Sequence, residues 1–205
     1  MTSQARAEHW NHVYATKRPD QVSWFQADAA PSLRMIAAAG VNKNAAIIDI
    51  GGGASVLVDQ LLAEGFGDIS LLDIAENALE RSITRLGQAA SKVNWIAADI
   101  LSWVPLRGYD VWHDRAVFHF LTAEKDRASY RRVLSQGLKR GGSLILATFA
   151  SDAPERCSGL PVQRWSSEKL AKEFSGLEMM EAAREEHVTP WGAVQPFSWA
   201  RFKKV

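Results

Sequence analysis

The sequence contains a single cysteine, Cys157, among its 205 residues, so no disulfide can form within the chain. A disulfide-stapled extracellular scaffold is therefore excluded, and this sparing use of cysteine is typical of proteins in a reducing cytoplasm. Hydrophobic residues make up 47% of the chain, and a chain of this length can bury a core without staples. We therefore expect a globular cytoplasmic protein in which Cys157 is a small buried side chain or, less commonly, a reactive thiol.

An excess of charge of either sign is also missing. The chain has 24 lysines and arginines against 23 aspartates and glutamates, a net charge of +1, so no overall field attracts nucleic acid or an anionic membrane. No apolar run approaches the ~20 residues that span a bilayer, and the polar segment Met1–Trp10 lacks the apolar core of a secretory signal. We expect neither nucleic acid nor a membrane as partner, and the sequence leaves the oligomeric state open.

Two common ligand motifs are lacking as well. No Gly-Lys-Ser/Thr sequence is present, which excludes a phosphate-loop NTPase. His9 and His12 are spaced to share a helix face, but no third ligand accompanies them, so we predict no metal site.

The most informative segment that is present is Ala45–Ser55, where an apolar run enters a glycine turn. Glycines in such a turn let the backbone approach a ligand closely. Asp49 stands directly before the turn, and its carboxylate would repel a pyrophosphate but attract an ammonium group. S-adenosylmethionine (SAM) carries an ammonium and a sulfonium but no phosphate, so this turn predicts a SAM site.

Carboxylates follow four successive apolar runs, at Asp49, Asp73, Asp99 and Asp114. Ligands of open α/β sheets bind outside the carboxyl ends of the strands, so these residues predict an acidic crevice. Asp73 lies 22 positions after Gly51, close to the spacing at which an acidic residue accepts ribose hydroxyls. We expect Asp99 to accept the adenine amino group. The alternative is that each aspartate is only a helix cap or a loop residue.

The pattern Asp49-x-Gly51-x-Gly53-x-Ser55, followed by Asp73 and Asp99, resembles the class I SAM-dependent methyltransferases over roughly Ala45 to Phe202. Ser55 stands where the family has its third glycine. The stretch Trp112–Leu121 resembles small bacterial methyltransferase-domain proteins and, more distantly, some protein-lysine methyltransferases. The resemblance implies SAM as cofactor, with cofactor-binding residues at Asp49, Gly51, Gly52, Gly53, Ser55, Asp73, Ile74, Asp99, Ile100 and Asp114.

Alternating strand and helix patterns predict a parallel sheet covered on both faces. We predict strands at Ala45–Ile50, Ile69–Leu72, Val93–Ala98, Tyr109–His113 and Ser143–Phe149. The predicted helices are Arg6–Tyr14, Pro31–Ala39, Val56–Glu64, Glu76–Leu86, Ala123–Leu138 with Thr122 as its cap, and Ser167–Phe174. Gly141 and Gly142 are predicted to turn the chain into the fifth strand.

The last two extended runs, Leu177–Val188 and Gln195–Lys203, are too close in sequence for a parallel crossover, so we expect a hairpin. The fold class is then α/β, a three-layer α/β/α Rossmann-like sandwich whose seven-stranded, mostly parallel sheet ends in an antiparallel C-terminal hairpin. We divide the chain into a helical N-terminal extension or lid, residues 1–44, and a SAM-binding domain, residues 45–205.

Candidate catalytic residues follow the fourth strand. Asp114 or His119 would orient or deprotonate the methyl acceptor, and Arg115 would hold an anionic part of it. The alternative is that Asp114 and Arg115 pair with each other or with the backbone, and that His119 packs among its apolar neighbours. His113, inside the strand, is predicted to be a core residue.

We also assign acceptor contacts to aromatic residues of the extension, Trp10, Tyr14 and Trp24, together with Arg115 and His119. Such a lid would exclude water from the site. Alternatively, these aromatic side chains only pack the extension onto the domain. We expect the loop after the fifth strand to complete the acceptor pocket.

The predicted function is methyl transfer from SAM to an unidentified small-molecule or protein side-chain acceptor. A non-catalytic SAM-binding protein is the alternative, since a fold alone does not imply catalysis. A nicotinamide-dependent oxidoreductase is disfavoured, because Val56 replaces the third glycine of the dinucleotide fingerprint and Asp49 would face the phosphates.

Overall fold

The computed structural model describes residues 1–205 apart from the side chain of Pro19. Its centre is a seven-stranded sheet in the order β3-β2-β1-β4-β5-β9-β8. The strands are β1 (Ala46–Ile50), β2 (Asp68–Asp73), β3 (Val93–Ala97), β4 (Tyr109–Arg115), β5 (Leu138–Phe149), β8 (Glu178–Val188) and β9 (Val194–Lys203). A separate two-stranded ribbon joins β6 (Arg156–Cys157) to β7 (Leu160–Pro161).

Six α-helices accompany the sheet: α1 (Ser3–Thr16), α2 (Ala30–Ala38), α3 (Leu57–Ala63), α4 (Glu76–Leu86), α5 (Glu124–Gly137) and α6 (Ser167–Glu173). Alternate residues of the central strands enter two different cores. On one face, Ile48 and Trp112 pack with side chains of α5 and α6. On the other face, Ile47 and Val111 pack with side chains of α2 and α3. The result is the three-layer α/β/α arrangement predicted from sequence.

The strand directions confirm the predicted fold. The first five strands are parallel to one another, and β9 runs antiparallel to both β5 and β8. The parallel strands are covered on both faces, which explains why β1 is buried at every position. Their carboxyl ends therefore meet along one edge, where the glycine turn and the aspartates predicted to bind SAM are found.

Two local predictions were wrong. Helix α5 begins at Glu124, and its N-cap is Ala123 without a side-chain hydrogen bond, so Thr122 does not cap it. Strand β5 begins at Leu138 instead of Ser143, because Leu138 already pairs with Tyr109 and the register to β4 shifts after that pair. Gly141 and Gly142 therefore lie within an irregular start of the strand, where the Gly141 N–H donates to the carbonyl of Lys204.

The segment before the sheet is packed onto it. In α2, Met35 and Ile36 are fully buried in the core between this helix and the sheet. Helix α1 contacts α4, where the Asn77 N–H donates to the Asn11 side chain at 3.1 Å. No helix within the described part of the chain combines the length and the apolar character needed to cross a bilayer. The division at residue 44 stays a prediction.

Candidate functional site

Two adjoining cavities open at the carboxyl ends of the strands. We call the first the aromatic cavity, because Trp10 and Phe120 line it together with Asp73, Asp99 and Cys157. We call the second the polar cavity; Ser32, Asp49, Gly52, Ser55, Arg81 and His113 line it. Four residues line both cavities: Tyr14, Trp24, Gly51 and Arg115. The two cavities therefore adjoin each other along these four residues, and we treat them together as one candidate site.

The glycine turn after β1 keeps its backbone close to the carboxylates. Gly51 has φ = +68°, and an added Cβ would lie 2.1 Å from Val117 Cγ2, so both the backbone conformation and the available space require glycine at this position. A Cβ on Gly52 would lie 2.3 Å from Asp49 Oδ2, and one on Gly53 would lie 2.6 Å from Asp73 Oδ2. Side chains at these positions would displace the two carboxylates, which explains three glycines in a row.

Asp49 is held by a buried chain of polar contacts. Asp49 and His113 are register partners on β1 and β4, so their side chains share a face. Asp49 Oδ1 lies 2.7 Å from His113 Nδ1, and His113 Nε2 lies 2.9 Å from Ser32 Oγ in α2. His113 is buried, as predicted, but it also lines the polar cavity and orients a carboxylate that the sequence placed at the cofactor.

Asp73 ends β2 and is almost completely buried in the wall of the aromatic cavity. Its Oδ1 accepts a hydrogen bond from the Ala75 N–H at 2.8 Å. Burial raises the pKa of Asp73 to about 7, with a further contribution from the charge of Asp49, and the backbone N–H groups around it oppose the shift. This carboxylate therefore titrates near neutral pH.

Asp99, after β3, pairs with Arg6, a residue that no motif in the sequence marks as part of the site. Its Oδ2 lies 2.6 Å from Arg6 Nη2, and its Oδ1 accepts from the Leu101 N–H at 3.0 Å. Burial opposes ionisation, but these hydrogen bonds and the charge of Arg6 lower the pKa of Asp99 overall. Arg6 lies 93 residues away in sequence. The feature of the sequence that could have indicated Arg6 is its i, i+4 spacing with Trp10 and Tyr14. All three residues belong to α1 and line the aromatic cavity.

The structure gives Asp114 a different position from the one predicted. Its side chain is completely buried and lies outside the lining of both cavities. Its Oδ1 accepts from the N–H groups of Val117 and Phe118, and its Oδ2 accepts from the Tyr130 hydroxyl at 2.7 Å. Burial raises the pKa of Asp114 to about 6 against these hydrogen bonds. This position does not support the cofactor-binding or the catalytic role predicted for Asp114, because these donors engage both carboxylate oxygens near the end of β4.

His119 is likewise a core residue in the structure. It is completely buried; its Nδ1 accepts from the Phe149 N–H at 3.3 Å, and its ring packs edge-on against Phe120 and Phe149. Burial and the nearby charge of Arg115 lower the pKa of His119 to about 3, so the ring is neutral at physiological pH. This position does not support the catalytic and acceptor-binding roles predicted for His119. It supports the alternative, in which His119 packs in the core.

The remaining predicted residues divide between the cavities. Ile74 and Ile100 line the aromatic cavity, as do Trp10, Tyr14 and Trp24, whereas Gly53 lies outside both linings. From β6, within the segment predicted as a loop after β5, Cys157 reaches the aromatic cavity, and burial raises the pKa of its thiol to about 11. A thiol that stays protonated is a poor nucleophile. Among the described residues, no cluster of three or more potential metal ligands is found.

The groups lining this site are of the kinds that SAM requires. A carboxylate of the kind that would suit its ammonium group, Asp49, lines the polar cavity, and an acceptor of the kind that would suit its ribose hydroxyls, Asp73, lines the aromatic cavity. Gly51 lines both cavities and leaves the backbone accessible between these two carboxylates. The geometry is consistent with a cofactor that extends from one cavity into the other.

Comparisons with known proteins give the same indication. The family model described as "Methyltransferase domain" matches residues 41–197. EEF1A lysine methyltransferase 2 of Danio rerio is 25% identical over 166 residues, which cover 77% of this chain and 65% of that protein. The match thus spans about two thirds of that relative.

Solved structures share the fold. A SAM-dependent methyltransferase from Anabaena variabilis superposes with a TM-score of 0.74 at 18% identity, covering 99% of this chain and 95% of the other. The 1,6-didemethyltoxoflavin-N1-methyltransferase of Burkholderia thailandensis, solved with 1,6-didemethyltoxoflavin and S-adenosylhomocysteine (SAH), has a TM-score of 0.74 at 17% identity, covering 100% of this chain and 92% of the other.

Proposed function

The chain belongs to the class I SAM-dependent methyltransferases and uses SAM as its cofactor, and on that premise we propose that it transfers a methyl group from SAM to a small-molecule or protein side-chain acceptor. One observation carries the proposal. Asp49 and Asp73, at the ends of neighbouring strands, line two cavities that meet at Gly51. A cationic amino-acid end and a ribose are the two groups that such a pair of carboxylates would hold.

Each part of the cofactor has a counterpart in this proposal. Asp49, oriented by His113 and Ser32, would accept hydrogen bonds from the ammonium group. Asp73 would accept the ribose hydroxyls, and Ile74 and Ile100 would pack against the adenine. Asp99 is already engaged by Arg6, so Asp99 and Arg6 would meet the adenine edge together. Gly51, Gly52 and Ser55 would lie beside the methionine part of the cofactor.

When bound, SAM would supply a methyl group: the sulfur–methyl bond would break, with its electron pair going to sulfur, as a lone pair of the acceptor attacks. A proton lost from an acceptor N–H or O–H group would pass to bulk water. The chain's contribution is to bring the acceptor into line, which is worth ~7–11 kcal/mol in well-oriented systems. Trp10, Tyr14 and Trp24 would exclude water from the reacting atoms. With Asp114 and His119 buried away from the cavities, the proposal rests on positioning and includes no general base.

Calorimetry on a glycine variant tests the cofactor site. We expect the wild-type protein to bind SAM and SAH with micromolar affinity, ~8 kcal/mol. Gly52→Ala places a Cβ 2.3 Å from Asp49 Oδ2, so Asp49 must move and SAH affinity should fall about tenfold or more. Gly67→Ala is the matched control, because a Cβ there meets nothing within 4 Å. Equal SAH affinity in the two variants would count against the assignment of Asp49.

A transfer assay separates an enzyme from a protein that only binds SAM. Methyl-labelled SAM is incubated with the protein and with either a pool of small metabolites or a cell lysate, and the label is followed into small molecules and into protein. We expect label in one of these fractions with the wild-type protein and much less with Gly52→Ala. SAM binding without transfer to either fraction would favour the non-catalytic alternative.

A further inference from the structure

The segment between α1 and α2 passes over the candidate site, and we call its residues 22–26 the strap. Val22, Trp24, Phe25 and Gln26 line the polar cavity, and Trp24 lines the aromatic cavity as well. The strap belongs to no helix or strand, and it turns where the Phe25 N–H donates to the Val22 carbonyl at 3.2 Å. Its position therefore depends on contacts from other elements.

Strand β8 supplies two of these contacts from the edge of the sheet. Neighbouring residues of a strand point to opposite faces, and Glu185 and His187 lie on the inward face of β8. His187 Nε2 lies 2.6 Å from the Ser23 carbonyl oxygen, and Glu185 Oε1 accepts from the Gln26 side chain at 3.1 Å. Among the described residues of β8, none lines either cavity. The strand therefore reaches the site only through the strap.

His187 is held as a neutral hydrogen-bond donor. A carbonyl oxygen can only accept, so Nε2 carries the proton that meets Ser23. Burial and the charge of Arg115 lower the pKa of His187, against opposing contributions from Ser23 and Glu185, so the ring is neutral at neutral pH. The buried ring packs edge-on against Phe197, with centroids 6.0 Å apart. A carbonyl that loses such a donor away from bulk water is destabilised, so losing the imidazole would release the strap.

Trp24 is the strap residue that lies where the two cavities adjoin. Its ring packs edge-on against Trp10 and Tyr14, with centroids 5.6 Å and 6.3 Å apart. In SAM and SAH, the sulfur atom joins the amino-acid chain to the ribose. With the ammonium group on Asp49 and the ribose on Asp73, the sulfur would lie where the cavities adjoin, and Trp24 lines both. A shift of the strap would therefore change the wall beside the sulfur.

We propose that His187 is a positioning residue for the cofactor: together with Glu185 it holds the strap from the edge of the sheet and so keeps the Trp24 ring in the wall of the site. The proposal rests on the proposed function, because it takes SAM and SAH as the ligands of the two cavities. His187 lines neither cavity and takes no part in the reaction. Cofactor affinity then depends on a strand that lies outside the site.

Calorimetry with SAH on paired variants tests the proposal without requiring turnover. His187→Phe keeps a ring against Phe197 but offers no donor to the Ser23 carbonyl, and we expect SAH affinity to fall about fivefold or more. His187→Gln can present an amide N–H to the same carbonyl and should stay within about twofold of the wild type. The matched control is Glu186→Gln, an exposed residue of the same strand, which should bind SAH as the wild type does.

A double-mutant cycle separates positioning from a general contribution to folding. Trp24→Leu should itself weaken SAH binding, and because it removes the ring that the strap positions, adding His187→Phe should lower affinity by less than about twofold further. Hydrogen exchange should be faster at residues 22–26 in His187→Phe and unchanged in β1 to β5. Glu185→Gln, which loses one acceptor oxygen, goes through the same cycle with an expected loss of about threefold. It keeps the proposal testable if His187→Phe does not fold.

The outcomes are distinguishable. Unchanged SAH affinity in the folded variants of His187 and Glu185, or in Trp24→Leu, would overturn the proposal. Equal losses in the presence and absence of the Trp24 ring would also overturn it, because the edge strand would then act on the fold as a whole. A loss in His187→Gln as large as that in His187→Phe would show that the hydrogen bond to Ser23 is not the cause. Failure of the wild-type protein to bind SAH would instead count against the proposed function.

Discussion

At the scale of single residues, Asp73 combines its proposed role as a ribose ligand with an electrostatic cost to the stability of the folded protein. Its pKa in the folded protein is about 7, against 3.8 for the ordinary side chain. The folded state therefore holds more protons than the unfolded state between these values, and the stability of the protein falls as the pH rises through that window. In the unliganded protein, a carboxylate positioned for ribose hydroxyls thus reduces stability at neutral pH.

This cost is testable with Asp73→Asn, which cannot ionise. We expect the difference in unfolding free energy between the variant and the wild type to increase by roughly 1–4 kcal/mol from pH 4 to pH 8. A difference caused by the amide itself would be the same at every pH and would not affect this change. Urea denaturation at several pH values measures it. Asp99→Asn is the matched control: the pKa of Asp99 is lowered in the folded state, so its contribution to stability is present at neutral pH and is lost as the pH falls. A pH-independent difference for Asp73→Asn would contradict the raised pKa.

The residues at the end of β4 and just after it show which side-chain positions the sequence could not predict. The pattern located Asp114, Arg115 and His119 at a strand end, which is correct for the first two. Neighbouring residues of a strand point to opposite faces, and the pattern did not tell which face carries the cavities. Asp114 is held by Tyr130 on one face, while Arg115 reaches both cavities from the other. That Asp49 and Asp73 line the cavities could be predicted, because Asp49 directly precedes the glycine turn and Asp73 ends the neighbouring strand.

At the scale of elements, α1 covers the aromatic cavity. Arg6, Trp10 and Tyr14 occur every four residues and therefore lie along one side of the helix. All three line the cavity, and Arg6 connects the helix to Asp99 on the opposite wall. The sequence predicted aromatic contacts from this segment, but not the ion pair, because nothing local in a sequence relates residues 93 positions apart.

We expect deletion of Met1–Phe25 to leave the sheet folded and to abolish methyl transfer. The deletion removes Trp10, Tyr14 and Trp24 from the cavity walls, whereas the strands and α2 through α6 lie outside the deleted segment. Circular dichroism checks the fold, and SAH calorimetry with the transfer assay checks the site. Glu8→Ala, on the exposed side of α1, is the control and should change neither. A truncated protein with unchanged SAH affinity and transfer would contradict a lid role for α1.

At the scale of the whole molecule, the site is assembled from distant parts of the chain. Residues of α1, of the turns after β1, β2, β3 and β4, and of the loop containing Cys157 all line the aromatic cavity. The order of the strands brings these turns together, because β1 lies between β2 and β4 in the middle of the sheet. The alternation of strands and helices predicted this assembly, since the carboxyl ends of parallel strands share one edge.

Ligand binding should therefore stabilise the entire fold. A ligand at about 100 times its Kd adds about 2.7 kcal/mol to the unfolding free energy, which for a chain of this length raises Tm by roughly 5–10 °C. We expect thermal denaturation to show this shift with SAH at that concentration and a much smaller one with NADH, because Asp49, beside the glycine turn, would repel a pyrophosphate. Gly67→Ala should respond like the wild type, and Gly52→Ala should respond less at the same SAH concentration. A larger shift with NADH than with SAH would contradict the cofactor assignment and restore the nicotinamide-dependent alternative.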